Sequence, residues 1–134
     1  MTTETTPIET RNERGRRLLA EIDGAAGQNV IDSLAGIAPD FADLLFEFPF
    51  GDIYARPGLN FRDREIATIA ALAAMGNARP QLEVHIQAGL NVGLSRAEIV
   101  EILIQMSVYA GFPAALNGLA AARTVFDQSP AGES

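Results

Sequence analysis

The chain has 134 residues, 48% of them hydrophobic, with no cysteine, no lysine, one histidine and a formal net charge of −7. That length and apolar share suit one globular domain with a real core, while the missing residue types exclude disulfides, thiol redox couples, Cys-ligated metals and imine-forming lysine catalysis. The acidic balance disfavours nucleic acid as a partner, and no run approaches the ~20 apolar residues of a membrane span.

Residues 1–7 and 129–134 read as loose tails around a single all-α domain over 8–128. The first tail lacks the apolar stretch of a secretory leader, so a cytoplasmic protein is expected. A polar helix is predicted over 9–23, with Leu18, Leu19 and Ile22 as core contacts and Gly24 closing it. Its Arg11, Arg14, Arg16 and Arg17 lie among Glu9, Glu13 and Glu21 and read as a solvated face. A second helix is expected over roughly 28–36. A third opens at Pro39, gathers Phe41, Leu44, Leu45 and Phe48 on one face, and breaks at Pro49. The stretch FPFGDIYARPGLN then reads as a connector.

The C-terminal half is punctuated more clearly. Asn60 can cap a helix over 61–75 that Gly76 stops. Pro80 sits at the first turn of the next, which Gly93 ends. Ser95 and Glu98 form a capping box at the head of a helix over 96–110, with Ile99, Ile102, Leu103 and Met106 as its stripe. Pro113 opens the last helix, to about Asp127. Every strong periodicity is helical, which predicts six or seven short helices with tight connections. The runs IATIAALAAMG and AALNGLAAAR are small and apolar nearly all round, so they need cover on every side. A homo-oligomer is expected on that ground.

Two ionisable residues stand out. Glu65 leads an apolar stripe with Ile66, Ile69, Leu72 and Ala73, and His85 sits amid Leu82, Ile86, Gly89 and Leu90 on the following helix. Consecutive helices joined by a short loop pack antiparallel, which leaves a Glu65–His85 contact open rather than required. Taken singly, a lone histidine on an apolar stripe is more often a hydrogen-bonded core residue, and a glutamate in a first turn complements the helix dipole. Together with Arg62, Arg64 and Arg79 at the same helix starts, they suggest an acid–base pocket for an anion. One histidine and scattered carboxylates give no metal-ligand cluster in the sequence, so no metal is expected.

The block FRDREIATIAALAAMGNARPQLEVHIQAGLNVGLSRAEIVEILIQMSVYAGFPAALNGL resembles the carboxymuconolactone decarboxylase family. Arg64-Glu65 opening an Ala-rich helix, His85 twenty residues on, AGLNVG over 88–93, RAEI and YAGFPAALN over 109–117 carry the likeness. With the lead-in PDFADLLFEFPFGDIYARPGL it extends over roughly 38–126. The resemblance implies an alkylhydroperoxidase D-like all-α fold, trimers or hexamers, and cofactor-free decarboxylation of a γ-lactone such as 4-carboxymuconolactone in aromatic catabolism. The related peroxidase branch carries a Cys pair before the equivalent of His85; Ala78 and Gln81 stand at the matching positions, so thiol peroxidase activity is not expected.

Decarboxylation leaves an electron pair on carbon, and without lysine, PLP or thiamine chemistry the substrate must itself accept it. The protein then has to stabilise an oxyanion and deliver one proton. On this reading His85 donates the proton and Glu65 orients it. Arg64, with Arg62, Arg56 or Arg79 behind it, grips substrate carboxylates, and Tyr109 is either a further donor or a core tyrosine. The competing readings are an isomerase or decarboxylase of secondary metabolism acting on another enolisable lactone or ketone, and a non-catalytic oligomeric binding protein.

Overall fold

The computed structural model describes residues 7–128, and the sequence expectations for 1–6 and 129–134 lie outside it. Among the described residues there are seven α-helices, one π-helix and no strand. In order they are α1 (Arg11–Ile22), α2 (Gly24–Leu34), α3 (Pro39–Leu45), the π-helix Phe46–Tyr54, α4 (Phe61–Met75), α5 (Arg79–Asn91), α6 (Arg96–Tyr109) and α7 (Phe112–Gln128).

Helices α4 to α7 form as their punctuation predicts. Asn60 accepts the Asp63 amide at the head of α4, and Gly76 ends it at φ 77°, a left-handed value that glycine adopts without strain. Ser95 and Glu98 make the reciprocal capping box of α6. Thr10 and Glu13 make a second one at α1, a signal present in the sequence. The buried faces of these four helices meet in one cluster holding Ile69, Ile86, Ile99, Leu103 and Ala121, all fully buried. Each buried Ile or Leu contributes about 1.5–3 kcal/mol relative to exposure, so this body fixes α4 and α5 firmly.

The N-terminal half departs from expectation. Helix α2 begins at Gly24, four residues before the predicted start, and α3 runs without a break into the π-helix. Pro49 does not end the helix, because it lies within the π-helical stretch. There each turn is wider than an α-turn, which gives the proline ring room beside the preceding turn. The predicted connector is therefore helical through Tyr54. Its inner side supplies Phe46 and Phe50 to a second cluster with Leu18, Leu19, Ile22 and Ala88.

Helix α1 lies against the π-helix at backbone contact distance. A Cβ on Gly15 would sit 1.9 Å from the Phe46 carbonyl oxygen, and one on Gly51 would sit 2.7 Å from the Arg11 oxygen. The arginines of α1 fasten the same contact instead of only facing solvent. Arg11 pairs with Asp52, Arg14 donates to the Gly51 carbonyl at 2.7 Å, and Arg16 covers the Phe46 ring at 4.3 Å. Of the four residues predicted to share one face, Phe41, Leu44 and Phe48 are exposed, while Leu45 faces inward.

Candidate active site

The site lies at the seam between the two clusters. Helix α4 brings Glu65, α5 brings His85 and Gln81, the π-helix brings Tyr54, and the α1–α2 junction brings Asp23. Glu65 is fully buried, and its two oxygens are both engaged. Its Oε2 meets His85 Nδ1 at 2.9 Å, and its Oε1 accepts the Tyr54 hydroxyl at 3.0 Å. Tyr54 in turn lies 2.7 Å from the Thr68 hydroxyl, which donates to the Arg64 carbonyl one turn back. The Phe50 ring, 5.2 Å from that of Tyr54 and nearly parallel to it, holds the phenol in place.

This network fixes the protonation states. Burial works against a charged His85, but the hydrogen bond and charge of Glu65, helped by Asp23, outweigh it and raise the imidazole above its ordinary pKa. Burial and the Glu65 charge push the Tyr54 phenol well up, so it stays a donor. With Nδ1 committed to Glu65, the ring nitrogen of His85 left for a ligand is Nε2.

That ring borders a cavity of about 360 Å³. Leu19, Val30, Leu45, Pro49, Phe50 and Val84 give it apolar walls, and Asp23, Tyr54, Thr68 and His85 form its polar side. Exposed Pro80 and Gln81 stand at its rim. The histidine is therefore neither in bulk water nor sealed among aliphatic groups. A small molecule can reach it.

The other predicted contacts lie elsewhere. Arg62 pairs with Glu98, and Arg79 donates to Thr124 and lies 3.8 Å from Glu83. Arg64 donates to the Arg56 carbonyl, its Nε buried without a partner among the described residues, and Tyr109 is 80% exposed near the end of α6. None of these four lines the cavity.

Asp23 escaped the sequence reading. It is only 4% exposed, its Oδ1 has no hydrogen-bond partner among the described residues, and burial pushes its carboxyl up to about 6, with His85 opposing and Glu65 adding to the rise. Ligand atoms of Asp23, Glu65 and His85 all lie within 4.8 Å of one another, near enough to share a cation. Each Glu65 oxygen already accepts one hydrogen bond, from Tyr54 and from His85, so a cation there would compete with those donors for the carboxylate.

Residues 39–124 match the carboxymuconolactone decarboxylase family. The chain is 32% identical over 119 residues, 88% of each chain, to the 4-carboxymuconolactone decarboxylase of Acinetobacter baylyi. The protein belongs to the carboxymuconolactone decarboxylase family. Other relatives are an uncharacterized 15.0 kDa protein of Paracoccus denitrificans, 37% identical over 63% of each chain, and the nitrosuccinic acid decarboxylase of Metarhizium robertsii. The last is 27% identical over 68% of this chain and 64% of its own. Within this family the chain has Ala78 and Gln81 where the thiol branch is expected to place cysteines, and no cysteine anywhere. Gln81 brings an amide rather than a thiolate to the rim of the cavity.

Proposed function

We propose that the protein is a carboxy-lyase that removes CO₂ from a small carboxylated anion without a cofactor, using His85 as proton donor and Glu65 as the group that orients it. The observation that carries this reading is the pair of buried Glu65 and partly buried His85 at the wall of an accessible, mostly apolar cavity. Membership of the family and two relatives named as decarboxylases support the reaction class. Apolar walls favour spreading the carboxylate's charge over the rest of the substrate as CO₂ leaves. The electron pair left behind passes into the substrate's own acceptor, giving an oxyanion. Tyr54 and Glu65 keep the imidazole aimed, and His85 delivers a proton to carbon.

The two named substrates share this logic. A conjugated lactone can hold the pair as a dienolate and a nitro acid as a nitronate. Both are therefore candidates here, with the lactone first because that relative matches nearly the whole chain. Purified protein is expected to release CO₂ from 4-carboxymuconolactone or nitrosuccinic acid, followed as loss of the lactone ultraviolet band or as evolved CO₂. Inertness towards both overturns the reading.

Assembly belongs to the same proposal. Ile104, Val108, Phe112 and Leu116 are exposed on α6 and α7, beside Tyr109. An apolar surface of this kind needs a partner, and a second copy of the chain supplies it. In such an assembly Arg62, Arg64, Arg79 and Tyr109, which lie outside their own cavity, are the candidates to bind a neighbour's substrate carboxylates. Light scattering is expected to give three or six times the chain mass of 14.3 kDa. A monomer at micromolar concentration would overturn this assembly.

A further inference from the structure

Each decarboxylation exchanges a C–C bond for a C–H bond, so one proton from solvent is consumed per turnover. Substrate bound in the apolar cavity would stand between His85 and the mouth beside Gln81. The fold offers a second opening. On the far side of Asp23 lies a separate, polar cleft bordered by Asn29, Glu83, Gln87 and Asn91, and Asp23 lines both it and the apolar cavity.

We propose that Asp23 is the proton inlet of the site, its carboxyl taking a proton from the polar cleft and passing it to His85 after each turnover. The inference rests on the decarboxylase reading. The Asp23 side chain serves neither adjoining helix: it makes no capping hydrogen bond to α2, and its Oδ1 is buried and unpartnered. An aspartate at a helix start ordinarily caps it, so this carboxyl is held inward for another purpose. Gly27 keeps space for it, since a Cβ there would lie 2.5 Å from the Asp23 Cβ.

The charges around it favour a held proton. The titratable groups facing Asp23 are Glu65 from α4, His85 and Glu83 from α5, and Tyr54 from the π-helix. Among the described residues no guanidinium borders either cavity beside it. Burial therefore leaves the neutral acid stable to about pH 6, and an arriving substrate carboxylate strengthens that preference. After His85 gives its proton to substrate carbon, the neutral imidazole accepts the Asp23 proton. The groups lie within 4.8 Å, a span that one water or a substrate oxygen closes. The Asp23 carboxylate then regains a proton through the cleft, and no oxidant or reductant is needed.

The test combines wild type, Asp23→Asn, Asp23→Ala and Asn29→Leu with carboxyl ¹³C NMR of aspartate-labelled protein. Wild type is expected to show one aspartate titrating well above the others, absent in Asp23→Asn. Asp23→Asn is expected to lower kcat about 10- to 100-fold with KM nearly unchanged, and formate to restore Asp23→Ala but not His85→Ala. Asn29→Leu, in the cleft alone, should lower kcat without altering KM. An Asp23 carboxyl that titrates with the exposed aspartates overturns the proposal whether or not any substrate reacts. So does Asp23→Asn with an unchanged kcat, or Asn29→Leu with wild-type turnover. Loss of folding in the Asp23 variants leaves the wild-type titration and Asn29→Leu to decide. Failure of wild type on both substrates sinks the decarboxylase reading separately.

Discussion

Replacing His85 with alanine is expected to lower kcat by about 10²- to 10⁴-fold, the usual effect of removing a positioned general acid. His85→Gln should fall almost as far while melting close to wild type, because its amide can still donate to the buried Glu65. The alanine variant alone leaves Glu65 short of a partner, and this comparison separates lost chemistry from lost folding. The pH profile gives a further signature. The donor is the imidazolium, whose pKa is raised, so kcat/KM should hold above the ordinary histidine value near 6.5 and fall only as pH rises through the elevated one. Glu65→Gln removes the charge that supports the imidazolium. Burial then dominates, and the alkaline fall should move to lower pH. Steady-state rates of the four proteins across pH 5 to about 9 measure this, and full activity in His85→Ala would refute the assignment.

The legible part of the site lies on α4 and α5, and the reason is local. Asn60, Gly76 and Pro80 set the limits of both helices, and a period of 3.6 then places Glu65 and His85 on their inner faces. Short connections make the two helices neighbours, but the 2.9 Å contact depends on how far each is rotated. Side-chain packing across the cluster fixes that rotation, and no single helix records it.

Asp23 shows the opposite case. Followed by Gly24, it reads as an exposed helix end, yet it is buried by residues from α5 and the π-helix that lie far along the chain. Nothing within its own segment marks it. The π-helix was hidden by Pro49, since the rule that proline breaks a helix is written for α-geometry. The guanidiniums stay out of this chain's own cavity for a simpler reason. Arg62 and Arg79 stand at helix starts near the catalytic residues in sequence, but their long side chains turn to Glu98 and to Thr124 and Glu83 on the outer surface.

Gly15→Ala is expected to cost about 3 kcal/mol or more, at the upper end for overpacked sites. Helix propensity alone predicts a gain of up to about 1 kcal/mol for this change in the middle of α1. Contact decides the sign. The new methyl would overlap the Phe46 carbonyl, a backbone group that cannot rotate away, so α1 or the π-helix must shift. The shift has a functional consequence, because the π-helix carries Tyr54 to Glu65 and α1 ends at Asp23. A surviving Gly15→Ala protein should therefore lose activity as well as melt earlier, although Gly15 lines no part of the cavity. Gly36→Ala is the control: nothing lies within 4 Å of its added methyl. Its melting should stay within about 0.5 kcal/mol of wild type. If Gly15→Ala melts like Gly36→Ala, then α1 is not pressed onto the π-helix, and the wall of the cavity they build together is drawn wrongly.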